Sequence, residues 1–130
     1  MTAAGAAYHR FQRALATQNL LLVRAAATDL PSLTLADQLR VLLLMRDRER
    51  ATYDRAAARF LANVVRAAPE IVLAEAQVVA AGLVAIGEGC DAAGIAGIGV
   101  VAGRHGIRDV ERVLSAHARG ETGYGGVTPA

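Results

Sequence analysis

Apolar residues recur along this chain at spacings of three and four, the period of one face of an α-helix. In residues 6–17, Tyr8, Phe11 and Leu15 fall on one face and Arg10 and Arg13 on another, which predicts an amphipathic first helix. Asn19 is placed to cap a second helix over 20–29, with Leu20, Val23, Ala27 and Leu30 along one side, and the Leu30-Pro31 step disfavours its continuation. The stretch 31–47 predicts a third. Thr34 is positioned to accept a hydrogen bond from the Asp37 amide and Asp37 to reach back to the Thr34 amide, a reciprocal cap. From Leu35 onward, Leu39, Leu42 and Leu43 mark one face while Val41, Leu44 and Met45 fill much of the other, so this helix is expected at the centre of the fold, covered on more than one side. Residues 46–50 alternate in charge and read as a solvated turn. Tyr53, Ala57, Phe60, Leu61 and Val64 then define a fourth amphipathic helix, stopped by Pro69, whose opposite face carries Arg55, Arg59 and Arg66.

The capping grammar repeats. Pro31-Ser-Leu-Thr-Leu-Ala-Asp37 is answered 38 residues later by Pro69-Glu-Ile-Val-Leu-Ala-Glu75, and a weaker echo begins at Ile107, with Asp109 as its acid. Each copy puts an acid in a first helical turn, where the helix dipole favours it. A period of this length is that of paired-helix repeats, although any helical bundle reuses the same grammar. Both readings give an all-α fold: a compact antiparallel bundle, or a short paired-helix repeat stack, of six or seven helices. Residues 1–119 are expected to form one helical domain and 120–130 a flexible C-terminal tail.

Composition supports this class. The 130 residues are 54% hydrophobic, much of it Ala, and Ala, Leu and Arg at this density favour helix; a chain of this length buries a core without disulfide or metal staples. All fourteen basic residues are Arg, a pattern of GC-rich coding rather than of a particular ligand. With Cys90 as the single cysteine, no intrachain disulfide can form, and a reducing cytoplasm is the expected setting. The N-terminus lacks the order of a secretory signal peptide, and Glu88 and Asp91 break the most apolar stretch into runs too short for the roughly 20 residues of a spanning helix, so no membrane partner is expected.

In residues 15–86, the run Asn19-Leu20-Leu21, the segment from Asp29 to Asp37, Arg55-Ala56-Ala57 with Arg59-Phe60, and Leu73-Ala74-Glu75-Ala76-Gln77 resemble small uncharacterised all-helical proteins of actinobacteria. The resemblance implies a helical fold and a cytoplasmic bacterial setting, and it carries no activity, ligand or catalytic residue.

Candidate chemistry is sparse. The glycine-rich segment 94–103 lacks the preceding strand, glycine intervals and following acid of a dinucleotide site, and no Gly-Lys-Ser/Thr is present. Gly87 and Gly89 are expected instead to end a fifth helix, Ala93, Gly94 and Gly97 to allow close helix contact, and Gly103 with Gly106 to form the next turn. His9, His105 and His117 are scattered, so no metal and no cofactor is expected. His117 lies on the Ile107, Val110 and Leu114 face and reads as a core-edge residue, while Cys90, followed by Asp91, reads as a buried or tolerated thiol rather than a nucleophile. Charge supplies the functional asymmetry. Residues 1–66 hold ten Arg against five acids, a balance of +5, and residues 67–130 four Arg against seven acids, a balance of −3. On the fourth helix Arg55 and Arg59 form an i,i+4 like-charge pair with no acid at the adjacent positions 51, 52, 62 or 63, whereas Arg66 has Glu70, and Arg108 and Arg112 have Asp109 and Glu111, within reach. Arg55 and Arg59 are therefore the candidate partner-binding residues. The expected role is a non-catalytic protein-binding or scaffold module whose protein partner is acidic; the alternative is a nucleic-acid-associated regulator using the same Arg-rich N-terminal face, though no helix-turn-helix, basic tail or stacking aromatics support it.

Overall fold

The computed structural model describes residues 2–120, and among these every regular element is a helix. Seven follow in order: α1 (Ala3–Thr17), α2 (Leu20–Ala27), α3 (Leu35–Arg48), α4 (Arg50–Ala67), α5 (Leu73–Gly87), α6 (Asp91–Arg104) and α7 (Arg108–Ala118). The tail expected over 120–130 lies, apart from Gly120, outside the described residues.

Short polar side chains start the first three helices. Thr2 accepts from the Gly5 amide at 3.0 Å, and Asn19 Oδ1 accepts from the amides of Leu21 and Leu22 at 3.1 and 3.3 Å. α2 stops at Ala27, earlier than its apolar pattern predicts, where the chain turns and the Thr28 hydroxyl donates to the Ala25 carbonyl. At α3 the Thr34 hydroxyl accepts from the Asp37 amide at 3.1 Å as expected. The reciprocal half of that cap is not formed. Asp37 is 1% exposed, and its Oδ1 accepts from Arg40 at 2.7 Å instead. The missing half occurs at α5, where Glu75 Oε1 accepts from the Val72 amide at 3.2 Å while valine, with no side-chain acceptor, returns nothing. The two echoing segments thus each realise one half of the same box.

Two apolar clusters meet at α3. Leu39 and Leu42 join Tyr53, Phe60, Val79, Ile86, Ile98 and Val110 in the larger one, built from α3 to α7. Leu44 joins Phe11, Leu15, Leu20 and Val23 in the smaller one, beneath α1 and α2, and Met45 packs against both. The central, multiply covered helix read from the sequence is the one observed. α7 packs on α6 and returns to α3, so the helices close on themselves. In an open repeat stack the last unit would touch only its neighbour, and the closure identifies the arrangement as a bundle.

The glycines act as the close-contact reading requires, with one exception. A Cβ on Gly94 would lie 2.5 Å from the Gly82 carbonyl oxygen, and one on Gly82 would lie 3.0 Å from that of Gly94, so α5 and α6 touch backbone to backbone. Gly89 and Gly106 take positive φ at the two turns. Gly103 is the exception: it lies inside α6 rather than in the turn, against the Glu111 carboxylate. Its helical φ leaves the left-handed position to Gly106 alone.

Candidate functional site

On α4 the residues Tyr53, Ala57, Phe60 and Val64 turn into the core, and this places Arg55, Arg59 and Arg66 on the outer side, all three exposed. None of them forms an ion pair among the described residues. One contrast drawn from the sequence fails. Arg66 does not pair with Glu70, nor Arg108 and Arg112 with Asp109 and Glu111; the Asp109 carboxylate accepts from the Val110 amide at 2.9 Å, and that of Glu111 lies against Gly103. Arg55 and Arg59 are thus distinguished by what lies beside them rather than by lacking acids. Next to them on α4, a groove runs between α4 and α5, with Asp54, Ala58, Leu61, Ala80 and Val84 among its walls. Tyr53 fixes its floor. The phenol hydroxyl donates to the Leu83 carbonyl at 2.6 Å, burial pushes its pKa up to about 12, and its ring occupies the space that a Cβ on Gly87 would need.

Two polar clamps join residues that are distant in sequence. The Arg46 guanidinium bonds Asp91 Oδ1 at 2.5 Å and Asp47 Oδ1 at 3.0 Å, and Asp91 Oδ2 meets His117 Nε2 at 2.7 Å, which ties α3, α6 and α7 together. Burial alone would raise the Asp91 carboxyl; the hydrogen bonds from Arg46 and His117 outweigh it and hold the group below the usual aspartate range. The Arg46 side chain is only 13% exposed, and a single residue, Glu49, separates α3 from α4, so 46–50 is not the solvated turn expected. Helix α3 runs on to Arg48, and Arg46, inside it, meets a carboxylate on another helix. At the second clamp, Glu75 Oε1 meets His105 Nε2 at 3.0 Å and Oε2 lies 3.8 Å from Arg104, joining the start of α5 to the end of α6. The hydrogen bond from His105, with that from the Val72 amide, holds the Glu75 carboxyl below its ordinary value.

Composition hid these clamps, but periodicity carried a signal. Arg46 falls four residues after Leu42, His117 four after Val113, His105 four after Val101 and Glu75 four before Val79, each at the end of a buried stripe. A charge at such a position must find a partner or leave the interface. His117 is half-buried, as its core-edge reading anticipated; Cys90, at the N-cap of α6, is exposed rather than buried; and His9 is exposed on α1. Among the described residues no group of three or more His, Cys, Asp or Glu is arranged to hold a metal ion, and no helix is long and apolar enough to cross a membrane. No family model matches the chain, and neither a curated protein nor a solved structure is similar to it.

Proposed function

We propose that the chain is a non-catalytic protein-binding module of a bacterial cytoplasm, and that it holds an acidic protein through the outer face of α4. The observation that carries this reading is the arginine row at 55, 59 and 66, exposed, free of ion pairs among the described residues, and set beside an apolar groove. Unneutralised like charges at i,i+4 are mildly destabilising, so an acidic partner would gain by pairing them. The two polar clamps support the non-catalytic part, because His105 and His117 each serve a carboxylate that fastens helices together. The apolar groove beside the arginines favours a protein over nucleic acid, whose backbone offers phosphates but little to fill such a surface.

Affinity capture from the native host, with the Arg55→Glu/Arg59→Glu double variant as control, tests the reading. Wild type should retain a protein of defined stoichiometry that the variant loses, with both equally folded by circular dichroism. Binding of duplex DNA or RNA instead, with affinity falling steeply as salt rises, would overturn it in favour of the nucleic-acid reading.

A further inference from the structure

By helical spacing, three rows fall along the α4–α5 hairpin. The first is Arg55, Arg59 and Arg66; the second, Ala58, Leu61 and Val65 of α4; the third, Leu73, Gln77 and Val84 of α5. Val65, Leu73 and Val84 are 40, 77 and 60% exposed, so the apolar strip extends beyond the groove's own walls. From Leu73 to Val84, as from Arg55 to Arg66, the rise is roughly 16 Å, about three helical turns. Helix α5 is apolar on nearly every side, a composition that belongs to a helix covered all round, yet this face is open. Asp54, at one end, is the acid among the groove's walls.

Resting on the protein-binding reading above, we propose that the occupant of this groove is a single amphipathic helix of the partner, about three turns long, whose apolar stripe fills the space between α4 and α5 and whose acidic flank meets Arg55, Arg59 and Arg66. Charge complementarity selects this occupant. A purely apolar helix would leave the arginine row facing nothing, and a basic one would be repelled by it. A helix in a groove also engages surfaces at i, i+3, i+4 and i+7, the spacing at which Ala58, Leu61 and Val65 stand.

A photo-crosslinking residue placed at Ala58 or Val84, both exposed, with Ala96 on the outside of α6 as control, tests the groove in the full chain. Crosslinks from positions 58 and 84 but not 96 should map to one partner segment with apolar residues at i, i+3/i+4 and i+7 and acids along one flank. A synthetic peptide of that segment should gain helical circular dichroism on binding, and Ala58→Glu or Val84→Glu should weaken it by about tenfold or more. If the captured protein depends on Arg55 and Arg59 yet crosslinks only from position 96, or through an extended segment, the groove assignment is overturned while the binding reading stands. If capture is indifferent to the arginines, or recovers nucleic acid or no protein, the reading itself fails and the groove with it.

Discussion

Alanine at Gly94, Gly97 and Gly99 gives a graded test of how α6 sits on α5. Each substitution gains about 1 kcal/mol of helix propensity, because glycine loses more backbone freedom than alanine on entering a helix. What opposes that gain differs at the three sites. At Gly99 the nearest atom to a new Cβ is Leu114 Cδ1 at 3.9 Å, an ordinary contact, so Gly99→Ala should stabilise the protein by up to about 1 kcal/mol. At Gly97 the Cβ would meet Val78 Cγ1 at 3.2 Å, and a small side-chain shift should leave the change near neutral. At Gly94 it would meet the Gly82 carbonyl oxygen at 2.5 Å, which only a separation of the two helices relieves. Overpacking of that kind costs about 3 kcal/mol at the upper end of its range, so the net loss should be about 2 kcal/mol. Urea melts followed by circular dichroism read the series directly, with the midpoint expected to rank Gly99→Ala, Gly97→Ala, Gly94→Ala from highest to lowest at unchanged slope. Destabilisation by Gly99→Ala would mean that segment 94–103 needs glycine conformations no helix uses, and a neutral Gly94→Ala would remove the backbone contact between α5 and α6.

Leu39→Ala or Phe60→Ala, each 1% exposed in the larger core, should cost roughly 2–5 kcal/mol in the same melts; an unmoved midpoint would take α3 and α4 out of that core. Thr34→Ala should cost about 1 kcal/mol, and Val72→Thr, which supplies the hydroxyl missing from the α5 cap, should gain a similar amount; equal and opposite failures of the two would discredit the shared cap. The Asp91 carboxyl is held below its unfolded value, so its contribution is present above the ordinary aspartate range near pH 4 and is lost as pH falls through the lower folded pKa. Thermal melts between pH 7 and 3 should therefore show an acid-side loss that Asp91→Asn reduces, and an identical pH dependence in the variant would contradict the clamp.

What the sequence made legible was local. The caps at Asn19 and Thr34, the apolar faces of α3 and α4 and the approach of Gly94 to a neighbouring helix all follow from short-range spacing, and each is observed. The clamps were not legible because their partners stand far apart in the chain: Arg46 and Asp91 are 45 residues apart, Asp91 and His117 26. Charge alternation around Arg46 reads as solvated when only neighbours are counted, and the helix-end pairs foreseen for Arg66, Arg108 and Arg112 compete with backbone amides and water at no net gain. The Arg55 and Arg59 face was visible as a like-charge pair. Its apolar neighbour was not, since the groove exists only once α5 lies against α4.

The most direct measurement of the central claim is a binding titration of wild type and of Arg55→Glu/Arg59→Glu against the captured partner across a salt series, with duplex DNA and RNA in parallel. Exposed charges seldom change stability by more than about 0.5 kcal/mol, so both proteins should melt together. Wild type should bind the protein with a defined stoichiometry and a shallow salt dependence, the double variant should lose that binding, and neither should hold nucleic acid. A variant that binds every recovered partner as tightly as wild type would show the α4 face to be solvated surface and nothing more.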